Sequence, residues 1–208
     1  HYTFDKGGNF VYGDHITVDG CIFDHCGYIG LCPAKSSSVG SWGETVWVQL
    51  ITNPIVRNTE VAYPHNNGID IWGCSDALVE NCYCHDVDIL VSPGNWETGI
   101  YFDSTSDAIA RNNLFVNLVI GISINAETSP DVSNNISCYN NIAVNNDSNY
   151  QVYSNQGVSD HINNIKFYNN ISYHDRPKQY NSGWWAGFYI AYCTTVDLKN
   201  NIIYNQRS

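Results

Sequence analysis

Short apolar alternations recur along the chain. In Gly68-Ile-Asp-Ile71, Gly99-Ile-Tyr-Phe102, Gly121-Ile-Ser-Ile124 and Gly187-Phe-Tyr-Ile190, a glycine is followed by apolar residues at every second position. A period of two is that of a strand with one buried face, and the 3.6-residue spacing of an amphipathic helix is absent. A second block aligns on one polar column. Its copies are His15 to Phe23, Pro54 to Val61, Ala77 to Cys84, Ala108 to Phe115, Ile136 to Ala143, Ile165 to Ser172 and Val196 to Ile203. The column reads Gly20, Asn58, Asn81, Asn112, Asn140, Asn169 and Asn200.

Copies recurring every few tens of residues, each too short to bury its own apolar face, predict a solenoid. Each coil is expected to hold two or three strands of three to five residues, ~22 residues in all plus insertions, stacked at ~4.8 Å. From Gly68 to Asn81, Gly99 to Asn112 and Gly187 to Asn200 the offset is 13, but from Gly121 to Asn140 it is 19, so insertions fall in particular turns. Each anchor Asn is expected in a turn. There its amide bonds the Asn of the next coil and satisfies backbone groups that water cannot reach.

The Gly-Ile-x-Ile strand and the Asn-Asn-x-apolar turn together resemble the right-handed parallel β-helix repeat of the pectate-lyase-like superfamily, from about residue 9 to residue 205. The resemblance implies an all-β chain, a right-handed parallel β-helix of about seven coils, in a single domain over residues 1–208. It is specific for fold and not for activity. Members include polysaccharide lyases, glycoside hydrolases, carbohydrate esterases, sugar epimerases, phage tailspikes, adhesins and purely structural proteins. No amphipathic capping helix precedes the first coil, and Asn201-Ile-Ile-Tyr-Asn205 is still repeat-like. Uncapped ends expose strand edges that pair with other chains. The expectation is therefore a piece of a longer solenoid, or a protomer that self-associates end to end.

Composition narrows the partners. The 208 residues include 9 basic and 20 acidic side chains, a net charge of −11, which argues against nucleic acid and against a polybasic membrane-surface role. The longest nearly apolar stretch, Leu114 to Ile124, is interrupted by Asn117, Gly121 and Ser123, so membrane insertion is not expected. The chain starts at His1 and contains no Met, and so reads as a mature or trimmed product. Eight Cys fit disulfides in an oxidising compartment, and they fit buried free thiols equally well. With three sequons, at Asn135, Asn146 and Asn170, they point to a secreted or extracellular glycoprotein. In a chain with 27 Asn such sequons also arise by chance.

Candidate chemistry follows from the alternation. With Ile69 and Ile71 inward, Asp70 and Trp72 face outward, followed in later coils by Tyr101 and Asp103, Ser123 and Asn125, then Tyr189 and Ala191. Carboxylates, aromatics and amides on one face suit a polysaccharide, stacking on its rings and bonding its hydroxyls. Long insertions carrying Trp42, Trp47, Trp96, Glu97, Trp184 and Trp185 are expected to wall the face. Asp70 and Asp103 sit diagonally, ~7–8 Å apart, which falls in the separation used by inverting glycosidases. Glu97 and Glu127 are reserve carboxylates.

A lyase would need a base, often Lys or Arg in the superfamily, and usually Ca²⁺. The outward columns hold no basic residue, and Arg57 and Arg111 read as solvated turn positions. Asp70 and Asp103 could hold Ca²⁺, but hydrolysis of a neutral glycan needs no cofactor and is favoured. The dipeptides Asp24-His25, His85-Asp86 and His174-Asp175 put adjacent residues on opposite faces, which disfavours a His-Asp pair. The rival reading is a non-catalytic adhesin or filament subunit.

Overall fold

The alternating segments form strands, and each pairs in parallel with the strand one coil away. The computed structural model describes residues 8–24, 46–64, 66–87, 97–127, 132–175 and 186–204. It winds the chain through three parallel sheets of seven strands. The first sheet comprises Gly8–Asp14, Val46–Thr52, Asn67–Trp72, Thr98–Asp103, Ile120–Asn125, Ser148–Tyr153 and Ala186–Ala191. These strands open coils 1 to 7. The second sheet runs from Thr17–Asp19 to Val196–Lys199 and the third from Ile22–Asp24 to Ile202–Tyr204. The one helical element among the described residues is the 3-10 turn Ser159–His161.

Three first-sheet strands lack the glycine signature carried by the other four, the first of them Gly8–Asp14 of coil 1. Val46–Thr52 forms coil 2, so Trp47, expected in a wall loop, lies in a strand at the register of Asp70. Ser148–Tyr153 forms coil 6, with Asn149 where neighbouring coils have Gly121 and Gly187. The six extra residues between Gly121 and Asn140 fall, as a turn insertion, between Asn125 and Ser133.

Inward columns make the core. Ile69 and Ile71, Ile100 and Phe102, Ile122 and Ile124, Tyr150 and Val152 stack over one another, all buried. The second sheet's outer face carries ion pairs between coils. Arg57 bonds Asp19 (2.8 Å) and Arg111 bonds Glu80 (2.6 Å), so both arginines are strand-end partners rather than isolated turn cations.

The anchor column corrects one expectation. All seven anchors, Gly20 to Asn200, have positive φ between 51° and 65°, the left-handed bend for which Gly and Asn are suited. The six Asn anchors, however, are exposed. The interior ladder lies one residue later, at the buried Asn113, Asn141 and Asn170 and the half-buried Asn201. Each Nδ2 donates to the Oδ1 of the next member at 3.0 Å, and the same Oδ1 accepts the backbone N–H of the previous member. The bend exposes the anchor and turns its successor inward.

Smaller donors replace the amide in early coils. Cys82 sits at the ladder register, and its thiol donates to Val56 O, as the amide of Asn113 donates to Val79 O. Six cysteines, Cys21, Cys74, Cys82, Cys84, Cys138 and Cys193, are free thiols. Cys26 and Cys32 lie outside the described residues.

Burial pushes Cys74 and Cys82 up to about 11 and raises Cys84 and Cys138 as well. Two outcomes are expected. In the native protein, thiol reagents should label Cys21 or Cys193 but reach Cys84 and Cys138 only after unfolding, read by mass spectrometry of peptides. Above pH ~9 the unfolded chain loses thiol protons that the fold retains, so stability should fall from there toward pH ~11. A thermal midpoint flat across that range would contradict the burial of these thiols.

Candidate functional site

On the outer face of the first sheet two columns run along the helix. One reads Asp70, Tyr101, Ser123, Gln151, Tyr189, and the other Gln49, Trp72, Asp103, Asn125, Tyr153, Ala191. The alternation thus places every outward residue named from the sequence. It does not reveal their burial. Asp70 is 6% and Asp103 4% exposed, and Tyr101, Asn125 and Ser123 are also buried. Trp72 and Tyr189 are half-buried. Trp96 lies outside the described residues.

The buried groups form a network. Asn67 Nδ2 donates to Asp70 Oδ2 (3.0 Å). The Tyr101 hydroxyl donates to the Glu127 carboxylate and accepts from Asn125 Nδ2 (2.8 Å). Asp103 Oδ1 accepts from Ser104 Oγ (3.0 Å) and from the backbone N–H of Glu127 (3.1 Å). Asn125 Oδ1 takes the N–H groups of Ala126 (2.7 Å) and Asn155 (3.2 Å). The chain leaving coil 5 is therefore pinned at its first two residues, and Glu127, a reserve candidate in the sequence, is delivered onto Tyr101. Glu97, the other reserve, is buried immediately before the coil-4 strand.

Tyr101 is held far above the usual phenol range. Burial is the largest cause, followed by the nearby charges of Glu127 and Asp103, the hydrogen bond to Glu127, and the charge of Asp70. It remains a neutral donor among three carboxylates. Among the described residues, no three His, Cys, Asp or Glu side chains group so as to hold a metal ion.

Other expected sites are placed differently. Asn135 is exposed, but Asn146 and Asn170 are buried. The Asn146 amide bonds Asn149 Oδ1 (2.8 Å), and that of Asn170 bonds Cys138 O (2.9 Å). Asn170 is a ladder position and Asn146 a separate buried turn position, so in the fold neither amide is presented to solvent. His85 does meet its neighbour, because Asp86 bends at φ 57°. Its Nδ1 lies 3.0 Å from Asp86 and its Nε2 3.2 Å from Glu60. His25 lies outside the described residues, and His174 is buried.

Four outer-face residues escaped the sequence reading: Gln49, Gln151, Tyr153 and Tyr192. The alternation Tyr150-x-Val152 would have located two of them, Gln151 and Tyr153, had a glycine stood at position 149.

Seven coils of parallel strands, turned at left-handed asparagines around one interior ladder, define a right-handed parallel β-helix. The chain matches the family described as the right handed beta helix region over residues 6–208, and it belongs to that family. No curated protein and no solved structure matches it. No helix among the described residues is long and apolar enough to cross a membrane.

Proposed function

We propose that this β-helix is an extracellular protein that binds a polysaccharide along the outer face of its first sheet and hydrolyses it. The observation that carries the reading is the acid–tyrosine–amide cluster buried outside the core. Carboxylates on an outer sheet face are solvated by default, and burying two, Asp70 and Asp103, beside a half-buried third around one phenol needs a compensating role. Asp103, which accepts two hydrogen bonds at one oxygen, is assigned the base that activates water. Asp70, diagonal to it, is assigned the acid that protonates the leaving oxygen. Glu127 is the half-buried carboxylate of the cluster, and Tyr101 positions it.

Hydrolysis is preferred to β-elimination because the described basic residues of the strands, Arg57, Arg111, Lys166 and Lys199, all belong to the second sheet. None stands on the acidic face. No step requires a cofactor, Ca²⁺ included. The test is a screen of neutral and uronic polysaccharides. New reducing ends without an ultraviolet-absorbing unsaturated product are expected, and appearance of that product would replace hydrolysis by elimination. Asp70→Asn and Asp103→Asn should each lower kcat by ~10²–10⁴-fold with circular dichroism unchanged. Folded variants with wild-type kcat would remove these residues from the chemistry.

A second reading is favoured by a different observation. Over coils 4 to 7 the outer face of the third sheet carries Leu114, Ile142, Ile171 and Ile202 beside Val116, Val144, Tyr173 and Tyr204, without a charge. Such surfaces suit a non-catalytic filament or adhesin. Electron microscopy of the native particle separates the two readings: long fibres without glycan cleavage support the second.

A further inference from the structure

Beyond the acid cluster, the outer face of the first sheet loses its charge and gains tyrosines. Ser123, Gln151 and Tyr189 continue the column of Tyr101, while Tyr153 and Ala191 continue that of Asn125, and Tyr192 follows at the next bend. The Tyr153 and Tyr189 rings lie 6.1 Å apart, tilted by 43°, and Tyr192 meets Tyr153 edge-on at 5.5 Å. Burial, then the neighbouring phenols of Tyr153 and Tyr192, raises Tyr189. Tyr192 is 48% exposed.

A second, independent feature lies beside this platform. Gln151 is 1% exposed; its Oε1 accepts from Ser123 Oγ (3.1 Å), and its Nε2 has no hydrogen-bond partner. In coil 2, on the far side of the acid cluster, the buried Oε1 of Gln49 has none either. Leaving a buried amide atom unpaired costs free energy that a ligand's polar groups can recover. The two glutamines bracket Asp70, Asp103 and Glu127 along the helix axis. They stand four coils apart, ~19 Å at the ordinary strand spacing.

We infer that Gln151, Tyr153, Tyr189 and Tyr192 form a subsite for an uncharged sugar ring of a glycan laid parallel to the helix axis. The tyrosines stack on the apolar face of the ring. Gln151 Nε2 donates to a ligand hydroxyl or carbonyl oxygen, the acceptor it lacks in the protein. The subsite rests on the glycan-binding reading above and deepens it by fixing the ligand as neutral. A polyuronate would bring carboxylates against Asp103 and Glu127, with no basic residue among the described positions of this face to offset the repulsion.

Tyr192 supplies a test that a structural role would not pass. It holds φ at 54°, at the bend where coil 3 has Gly73 and coil 4 Ser104, and where coils 1 and 2 have Tyr12 and Leu50. Asn tolerates that conformation better than Tyr. Tyr192→Asn should therefore keep or raise the thermal midpoint while weakening glycan binding.

The experiment is calorimetric titration of the full chain with neutral oligosaccharides (gluco-, xylo- and manno-configured) and with oligogalacturonate. Neutral ligands should bind; Tyr192→Asn, Tyr153→Ala and Gln151→Leu should each lose about tenfold in affinity, the first with an unchanged or higher midpoint. The double variant Asp70→Asn/Asp103→Asn should still bind while failing to cleave. Wild-type affinity in all three subsite variants, or binding of oligogalacturonate alone, would overturn the subsite and leave the glycan-binding reading intact. Absence of both binding and cleavage with every glycan would overturn that reading, and the subsite with it.

Discussion

Asn141→Ala is expected to lower stability by about 3–5 kcal/mol, whereas Asn140→Ala, one residue earlier, should cost about 1 kcal/mol. Asn141 is fully buried in the middle of the ladder. Its Oδ1 accepts both the N–H and the Nδ2 of Asn113 (3.0 Å each), and its Nδ2 donates to Ala110 O and Asn170 Oδ1 (3.0 Å each). Truncation leaves the Asn113 N–H unpaired where water does not reach, at ~1–3 kcal/mol, and removes three further side-chain hydrogen bonds at ~0.5–1.5 kcal/mol each. Asn140 is exposed with φ at 57°, so its replacement loses mainly the preference of Asn for the left-handed bend. At ~2–4 °C per kcal/mol for a chain of this size, the midpoints should fall by about 10 °C and about 3 °C. Asn140→Gly should be close to neutral. Equal losses at both positions would show that the interior ladder carries no special share of the stability.

Gly99→Ala should be worse still, reducing or abolishing recovery of folded protein. A Cβ at Gly99 would stand 2.4 Å from Phe115 Cδ1 and 2.7 Å from the carbonyl oxygen of Gly121. Phe115 is fully buried, and the carbonyl belongs to the adjoining coil, so neither can yield without opening the first sheet. Overpacking a closed core by one methyl costs ~1–3 kcal/mol and occasionally more; a contact this short against fixed backbone belongs at the upper end. The constraint is local, as coil 6 demonstrates. There Asn149 takes the glycine's register, and its amide bonds Ser172 Oγ (2.7 Å) at the third-sheet register where coil 4 places Phe115. Phe115→Ala combined with Gly99→Ala should recover part of the loss but not all, because the Gly121 carbonyl remains in the way. Wild-type stability in the single variant, measured by chemical denaturation, would contradict the close approach of coils 4 and 5.

The coil count, the parallel strands and the inward and outward sides of each strand were determined by the sequence itself. A period of two and a column of Gly and Asn at left-handed bends are properties of single strands and single turns, readable without knowing what packs against them. Ile69-Asp-Ile71 and Ile100-Tyr-Phe102 state their facing directly. Which Asn of each Asn-Asn pair is buried was not legible, because both suit a turn, and only the winding of the coil decides that Asn140 faces water and Asn141 its neighbours. The strand Ser148–Tyr153 was hidden for a similar reason: whether a coil needs Gly or accepts Asn149 depends on how closely the next coil's carbonyl and the third-sheet residue approach it. The site divides in the same way. The alternation placed Asp70, Tyr101, Asp103 and Asn125 on one face, but burial and pairing arise between segments far apart in the chain. Glu127 on Tyr101, Asn125 on the chain leaving coil 5, and Gln151 without a partner for its Nε2 are consequences of how coils stack, and stacking is a property of the tertiary structure.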